Sequence, residues 1–282
     1  MPHTAIFGIF IAYPFLLGIW ISLHDWNFLS PVQTFVGLRN YIALFTPGSI
    51  YFGRFWLTLW NTVLFVIISV PVLIAVGLGL AVLLNLGFRG RNFFRAVFFT
   101  PWTLGVAVVG VLWWWIFNGQ AGLANRPFEF LHLTPPGWLT VNPFAWLSIL
   151  TATVWWTVGF NTIILLAGIQ AIPRDLYEAA SVDGANAWQQ FRSITIPTLR
   201  PILLLVVTLQ VIASFNLVGQ PQIMTGGGPN VTETTPVLLY IYNTGFAGRY
   251  DLGPAAAMAL IVAVIMLAVS FINFRVFQSE RS

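Results

Sequence analysis

Six long apolar runs divide the chain, at about residues 5 to 23, 57 to 84, 96 to 117, 144 to 169, 202 to 219 and 254 to 276, and polar residues gather between them. A helix needs about 20 apolar residues to cross the roughly 30 Å hydrocarbon core of a bilayer. The pattern therefore predicts an all-α membrane protein of six transmembrane helices. The second run would be about 42 Å long at the helical rise of 1.5 Å per residue, so it should tilt or bend, with Pro71 as the natural kink. The first run lacks the basic leader and the A-x-A site of a signal peptide, and it reads as a retained helix. The opening MPHT, free of basic residues, hints at a trimmed amino terminus. No internal repeat of fixed period is visible. In the first connecting segment, VGLRNYIALF sets Leu38, Ile42 and Phe45 on one face with Arg39 and Asn40 elsewhere, which suits a short helix lying in the membrane interface.

Composition agrees with a lipid solvent. Only 7% of the residues are charged and 58% are hydrophobic, whereas a water-facing surface needs about a quarter charged. All twelve basic residues are arginine, and cysteine is absent. That excludes a P-loop, a Schiff-base lysine, disulfides, thiolate metal sites and thiol nucleophiles. The net charge of +4 is small and is no nucleic-acid footprint.

The arginines set an orientation. Arg89, Arg91 and Arg95 lie between runs two and three, Arg174, Arg192 and Arg200 between four and five, and Arg275 and Arg281 at or beyond the end of six. The opposite, longer segments hold Arg39, Arg54, Arg126 and Arg249. The positive-inside rule then places both termini in the cytoplasm. Trp20, Trp26, Trp113, Trp114, Trp115, Trp138 and Trp146 fall near the expected interfaces, where amphipathic rings are favoured.

The acidic residues Asp25, Glu129, Asp175, Glu178, Asp183, Glu233, Asp251 and Glu280 all fall in loops or at helix ends. Carriers driven by proton or sodium gradients keep an ionisable group in the membrane along the path, so a stand-alone secondary carrier is the disfavoured alternative. His3, His24 and His132 sit at the amino terminus or in outer loops, which offers no metal site. No acidic pair, cysteine or metal cluster within the runs supports a membrane-embedded enzyme. Energy for active transport would have to come from another subunit.

Six charged residues, Arg174, Asp175, Glu178, Asp183, Arg192 and Arg200, crowd the segment between runs four and five. A loop over 170–201 is longer than a turn needs and should carry its own structure. Pro173 suits a first helical turn, with Asp175 and Glu178 early, where the helix dipole favours anions. Leu176, Ala179, Ala180 and Val182 continue the pattern, and Gly184 interrupts it. Trp188, Phe191 and Ile194 then recur at spacing three, predicting a second, amphipathic helix that Pro197 and Pro201 stop before run five.

The spacing Glu178-Ala179-Ala180, three residues, Gly184, nine residues, Ile194, one residue, Ile196-Pro197 resembles the EAA loop of membrane subunits of bacterial binding-protein-dependent ABC importers. The resemblance implies a short coupling helix around Gly184 that seats in a cleft of a cytoplasmic ATPase subunit. Glu178, Ala179, Ala180, Asp183, Gly184, Ala185, Trp188, Phe191 and Pro197 are its expected coupling residues. A lever of this kind needs a glycine for the sharp turn, and Trp188 and Phe191 would anchor its helix against neighbours.

After run five comes IMTGGGPNVTETTPVLLYIY, residues 223–242. It follows no strand and the chain has no lysine, so it reads as a turn and not as a phosphate cradle. Together with FVGLRNY near residue 35 and GPAAAMAL opening run six, it resembles the MalF-type subunit of carbohydrate importers over about residues 5 to 276. That class takes up oligosaccharides, disaccharides, polyols and glycerol phosphates. The chain ends soon after run six, as that branch does, and lacks the large extra periplasmic domain and additional spans of the maltose-type example. The partners implied are a second, MalG-type permease subunit, two copies of an ABC ATPase and an extracytoplasmic solute-binding protein. The chain itself would bind no cofactor, with ATP and Mg on the ATPase, and would sit in a bacterial plasma (inner) membrane.

Sugar sites pair aromatic faces with a few amide and hydroxyl groups. Trp155, Phe160 and the adjacent Asn161 are candidates in run four, and Gln210, Ala213, Ser214 and Leu217 share one helical face in run five. By the resemblance, Trp155, Phe160, Gln210, Ser214 and Leu217 fall at positions that line the sugar site of the maltose-type subunit, and only the tryptophan is retained as the same residue. The other explanation of Gln210, Ser214 and Asn216 is hydrogen bonding between neighbouring helices in lipid.

Overall fold

The structure, a computed structural model, describes residues 2–229 and 233–279. Asn230, Val231 and Thr232 of the glycine-rich loop, and Glu280 and Arg281 of the charge pattern, lie outside the described residues.

The chain opens with α1 (Pro2–Phe7) and α2 (Tyr13–Ser22), joined through a π turn at Gly8–Ala12. Phe10 and most of the apolar side chains along this helix point away from the rest of the molecule. A two-stranded antiparallel ribbon follows, β1 (His24–Trp26) and β2 (Gln33–Phe35), paired His24 to Phe35 and Trp26 to Gln33. Next come α3 (Arg39–Phe45), the long α4 (Phe52–Asn85), α5 (Arg91–Phe99), α6 (Val106–Ile116), α7 (Arg126–Phe130) and α8 (Phe144–Gln170). The remainder is α9 (Arg174–Val182), α10 (Ala187–Gln190), α11 (Ile196–Phe215), α12 (Gly219–Met224), α13 (Val237–Tyr242) and α14 (Leu252–Ser279). Among the described residues, five helices are long and apolar enough to cross a bilayer, and a sixth span forms if the bent pair α5–α6 is counted as one.

That third span corrects the expectation of one helix over 96–117. The two halves meet at 102°. Pro101 lacks an amide hydrogen, the backbone tightens into a 3-10 turn over Thr100–Thr103, and Leu104 and Gly105 become extended before α6 begins. The break lets Phe98 and Phe99 lie directly on Gly159 of α8, where a Cβ would come within 2.9 Å of the Phe99 Cα.

The fifth span differs in the opposite sense. Pro197 and Pro201, expected to stop the preceding helix, sit inside it: α10, a π turn over Phe191–Thr195 and α11 run on without a break. In the π turn Ile196 N–H bonds back to the Phe191 carbonyl, five residues earlier. The widened turn thus ends where Pro197 could not have donated, so the missing amide disrupts less. The same span ends early, at Phe215, and residues 216–218 turn the chain into α12.

Close approach of helices organises the centre. The Cβ of Asn161 on α8 packs against Gly77 of α4, and Leu199 and Ile202 of α11 pack against Gly168 of α8. Small residues at crossings allow the dispersion contacts that hold helices together in lipid, where no hydrophobic drive separates them from the solvent. Around these crossings Ala81, Leu84, Leu165, Leu166, Ile169, Leu199 and Val206 form one buried cluster. At the far end, Leu44, Phe55, Leu59, Val237, Ala257, Met258 and Val262 form another.

Polar bonds fasten the ribbon end. Leu38, Ile42 and Phe45 of the α3 segment are exposed, while Asn40 turns inward and donates to the carbonyls of Ser22 (2.8 Å) and His24 (2.9 Å). Tyr51 donates to Asp251 at 2.8 Å, Arg249 pairs with the same carboxylate at 3.0 Å, and Asn27 donates to its other oxygen. Burial, reinforced by the Asp251 carboxylate, pushes the Tyr51 hydroxyl well above the usual tyrosine range. The hydrogen bond to Asp251 likewise raises Arg249.

Candidate functional site

A cavity of about 520 Å³ opens where α8, α11 and α12 meet the broken third span, with Phe65 of α4 closing one side. That volume lies in the range of pockets that enclose small ligands. The run-five face forms its polar wall: Gln210, Ala213, Ser214 and Leu217 all line it. Gln210 and Ser214 also bond between helices. Gln210 Nε2 donates to Asn161 Oδ1 at 2.7 Å, and the Ser214 and Ser69 hydroxyls lie 3.2 Å apart. Lining the cavity and bridging helices are thus compatible, because an amide or hydroxyl can satisfy one partner and still present a lone pair.

The run-four candidates divide differently. Trp156, not Trp155, lines the cavity, beside Thr153 and Thr157. Successive residues on a helix point about 100° apart, and Trp155 is turned to the edge of Trp113, 5.7 Å away. Phe160 lies behind the wall, stacked at 4.8 Å on Trp102. Asn161 is fully buried behind Gln210, and its Nδ2 has no hydrogen-bond partner.

Sequence reasoning missed Trp102, Trp156, Gln220 and Gln222. Trp102 reaches the cavity because the 3-10 turn swings it out of the line of a straight helix, where it meets Trp156 at 5.8 Å. Trp156 is held by its indole N–H, which donates to the Leu104 carbonyl at 3.1 Å. The Thr-Pro-Trp-Thr run was the available signal. Gln220 and Gln222 lie on α12, which packs on α6 through Gly110 against Ile223.

At the opposite end, α9 and α10 bracket a bend at Gly184, whose φ of +80° is left-handed and favours glycine. Asn186 closes a capping box on α10: its side chain accepts from Gln189 N–H at 2.9 Å, and Gln189 Oε1 accepts from Asn186 N–H at 2.7 Å. Gln190 ties the two helices by donating to the Ser181 hydroxyl and the Ala185 carbonyl, and the Tyr177 and Thr195 hydroxyls meet at 2.9 Å. Glu178, Ala179, Asp183, Gly184 and Pro197 are exposed, and Ala180 and Ala185 are half-buried.

Trp188 is 67% exposed and stacked on Phe191 at 5.5 Å, and Phe191 is half-buried. Both rings line a hollow of about 670 Å³ beside Ala75, Leu78, Gly79, Val82 and Leu83 of α4.

In the glycine-rich loop Gly226, Gly227 and Gly228 all have positive φ. The Gly227 carbonyl accepts from Thr234 N–H and the Thr235 hydroxyl, which makes the segment a turn. Among the described residues, no group of three or more His, Cys, Asp or Glu could hold a metal ion.

Long apolar helices, a mostly apolar cavity among them that carries a few amides and hydroxyls, and a charged helical loop at one end define a multi-span membrane permease. Residues 73–281 match the family of binding-protein-dependent transport system inner membrane components, and the chain belongs to that family. It is 34% identical over 281 residues to the trehalose/maltose transport system permease protein MalF of Thermococcus litoralis, covering 99% of this chain and 93% of that protein. It is 32% identical to the sulfoquinovosyl glycerol transport system permease protein SmoG of Agrobacterium fabrum, covering 99% and 89%. In fold it resembles a solved bacterial ABC transporter involved in import of the acidic polysaccharide alginate, with a TM-score of 0.84 at 24% identity, covering 99% of this chain and 93% of that one.

Proposed function

We propose that the chain is a transmembrane permease subunit of an ATP-driven importer that translocates a sugar or related solute: a disaccharide, oligosaccharide, polyol or glycerol phosphate. An extracytoplasmic binding protein delivers the solute, a second, MalG-type permease completes the path, and two copies of an ATPase subunit supply energy at the α9–α10 loop. The chain hydrolyses nothing itself. It sits in the bacterial inner membrane with both termini and that loop in the cytoplasm, an orientation supported by the arginine distribution.

One observation carries the proposal. The helix that bears Trp188 at the loop and the helix that bears Gln210 at the cavity are one unbroken rod from Ala187 to Phe215. A rigid helix moves as a unit, so a push on the loop displaces the cavity wall. Gly184 permits the bend that presents the loop, and the Asn186 capping box stiffens it. The trehalose/maltose and sulfoquinovosyl glycerol relatives support a carbohydrate as cargo.

Gentle purification from native membranes, with identification of the co-purifying chains by mass, tests the assembly. An ATPase, a second permease and a solute-binding protein should accompany this chain, and recovery alone with retained solute transport would refute it. A Gly184→Asp variant should insert and assemble yet hydrolyse ATP without uptake, because space around Gly184 is open and only its backbone is strained. Uptake at the wild-type level would refute the lever.

A further inference from the structure

Asn161 is satisfied on one side only. Thr153, Thr157 and Thr162 of the same helix each donate to a carbonyl one turn back at 2.8 Å. The Asn161 side chain, fully buried, has one bond among the described residues: its Oδ1 accepts from Gln210 Nε2 of α11 at 2.7 Å, while its Nδ2 is buried without a partner. A hydrogen bond between helices in lipid gains little on average, and an amide N–H buried unpaired costs more than that gain. An apolar side chain would hold the crossing without that cost. The Asn161 oxygen is thus kept against stability, which directs attention to the group it holds.

That group faces the solute path. Gln210 lines the cavity, and Asn161 does not. Asn161 is itself held from behind, because its Cβ abuts α4 so closely that a Cβ on Gly77 would lie 3.2 Å from it. Its oxygen therefore stands fixed behind the wall and engages one N–H of the Gln210 amide. The other N–H and the carbonyl remain, one donor and one acceptor.

We propose that Asn161 is a positioning residue for solute recognition: it touches no cargo, and it sets the direction of the Gln210 amide that does. The proposal rests on the carbohydrate-importer reading above and deepens it. A sugar hydroxyl both gives and takes hydrogen bonds, so a solute rich in hydroxyls can use both remaining functions of a fixed amide. A free glutamine side chain would lose rotamer freedom each time a solute bound. One already held by Asn161 loses less, and binding tightens accordingly.

The test uses the whole importer in proteoliposomes with its binding protein in excess. ATP hydrolysis is titrated with maltose, trehalose, maltotriose, sorbitol, glycerol phosphate and a mixture of amino acids. The solute that stimulates the wild type at the lowest concentration serves as the probe. Asn161→Leu and Gln210→Leu should each raise the half-maximal probe concentration about 10-fold, and the double variant should need no more probe than the weaker single variant. Asn161→Ala, tested beside Asn161→Leu, separates loss of the acceptor from crowding by the bulkier leucine. A role in helix packing alone predicts a lower unfolding temperature and an effect of equal size whether or not Gln210 is present. An unchanged probe concentration in both Asn161 variants, or the same further rise when Asn161 is changed on the Gln210→Leu background, would overturn the proposal while leaving a carbohydrate importer standing. Stimulation by the amino acids alone would overturn both.

Discussion

Gly159→Ala isolates the contact that shapes the cavity. A Cβ at Gly159 would run into the Phe98 carbonyl oxygen and lie 2.5 Å from its carbon and 2.9 Å from the Phe99 Cα. All three are backbone atoms and cannot rotate aside, so the end of α5 and the 3-10 turn must retreat by roughly 1.5 Å to reach ordinary contact. Overpacking of that kind costs about 3 kcal/mol at the upper end of its usual range. Alanine in a helix interior recovers about 1 kcal/mol over glycine, leaving a net loss of about 2 kcal/mol. Gly79→Ala on α4 is the control, since nothing lies within 4 Å of the added carbon and only the favourable helix term of about 1 kcal/mol remains. Thermal unfolding of the purified importer in detergent, at one scan rate, should move down for Gly159→Ala and stay level or rise for Gly79→Ala. Because the retreating turn carries Trp102 away from Phe160 and Trp156, solute-stimulated ATP hydrolysis should need more solute as well. A Gly159→Ala protein as stable and as responsive as wild type would refute the close packing of the broken span on α8.

Three further outcomes follow from named contacts. Trp156→Ala should raise the solute concentration for half-maximal ATPase stimulation by about 10-fold or more, the loss expected for a central aromatic contact, whereas Trp155→Ala should chiefly lower thermal stability; the reverse order would move the solute to the Trp113 side. Asn186→Ala removes the capping bond that the Asn186 side chain accepts from Gln189 N–H, and about 1 kcal/mol from the start of α10, so transport per ATP hydrolysed should fall with assembly unchanged, and unaltered coupling would count against α10 as the transmitting element. Tyr51 keeps its proton in the folded chain above the pH of about 10 at which an unfolded tyrosine releases it. Its stabilisation is therefore complete below that pH and lost as pH rises beyond it. Thermal stability should fall less steeply above about pH 10 in Tyr51→Phe than in wild type, and parallel curves would show that the Tyr51–Asp251 bond does not sustain the ribbon end.

Much of this molecule is written in its apolar runs. In a bilayer each backbone N–H and C=O must be satisfied within its own segment, so a long apolar run has helix as its only solution. The loop glycine was legible for a related reason: a left-handed turn is a local event, and Gly184 suffices for it. The polar face of run five was also readable, because amide and hydroxyl groups at mid-membrane demand partners wherever they are placed.

Phase and interruption were not readable. In run four Thr153, Thr157 and Asn161 recur at spacing four, but the threonine hydroxyls bond back to carbonyls of their own helix and so give little signal for which face turns inward; the adjacent Trp155 and Trp156 were told apart by what packs on them. Pro101 weakens the third run, but a proline can kink, end or merely decorate a helix, and it is the seat for Phe98 and Phe99 on Gly159 that selects a 102° break. Pro197 and Pro201 show the converse, two apparent stops carried inside a continuous helix, the first just past a π turn. The sequence by itself determined that this chain folds as helices in lipid, where they run and what its loop resembles, since those outcomes depend on local satisfaction of the backbone. Only the tertiary structure decided which aromatic rings and which polar side chains meet in the cavity, since that depends on contacts between segments far apart in the chain.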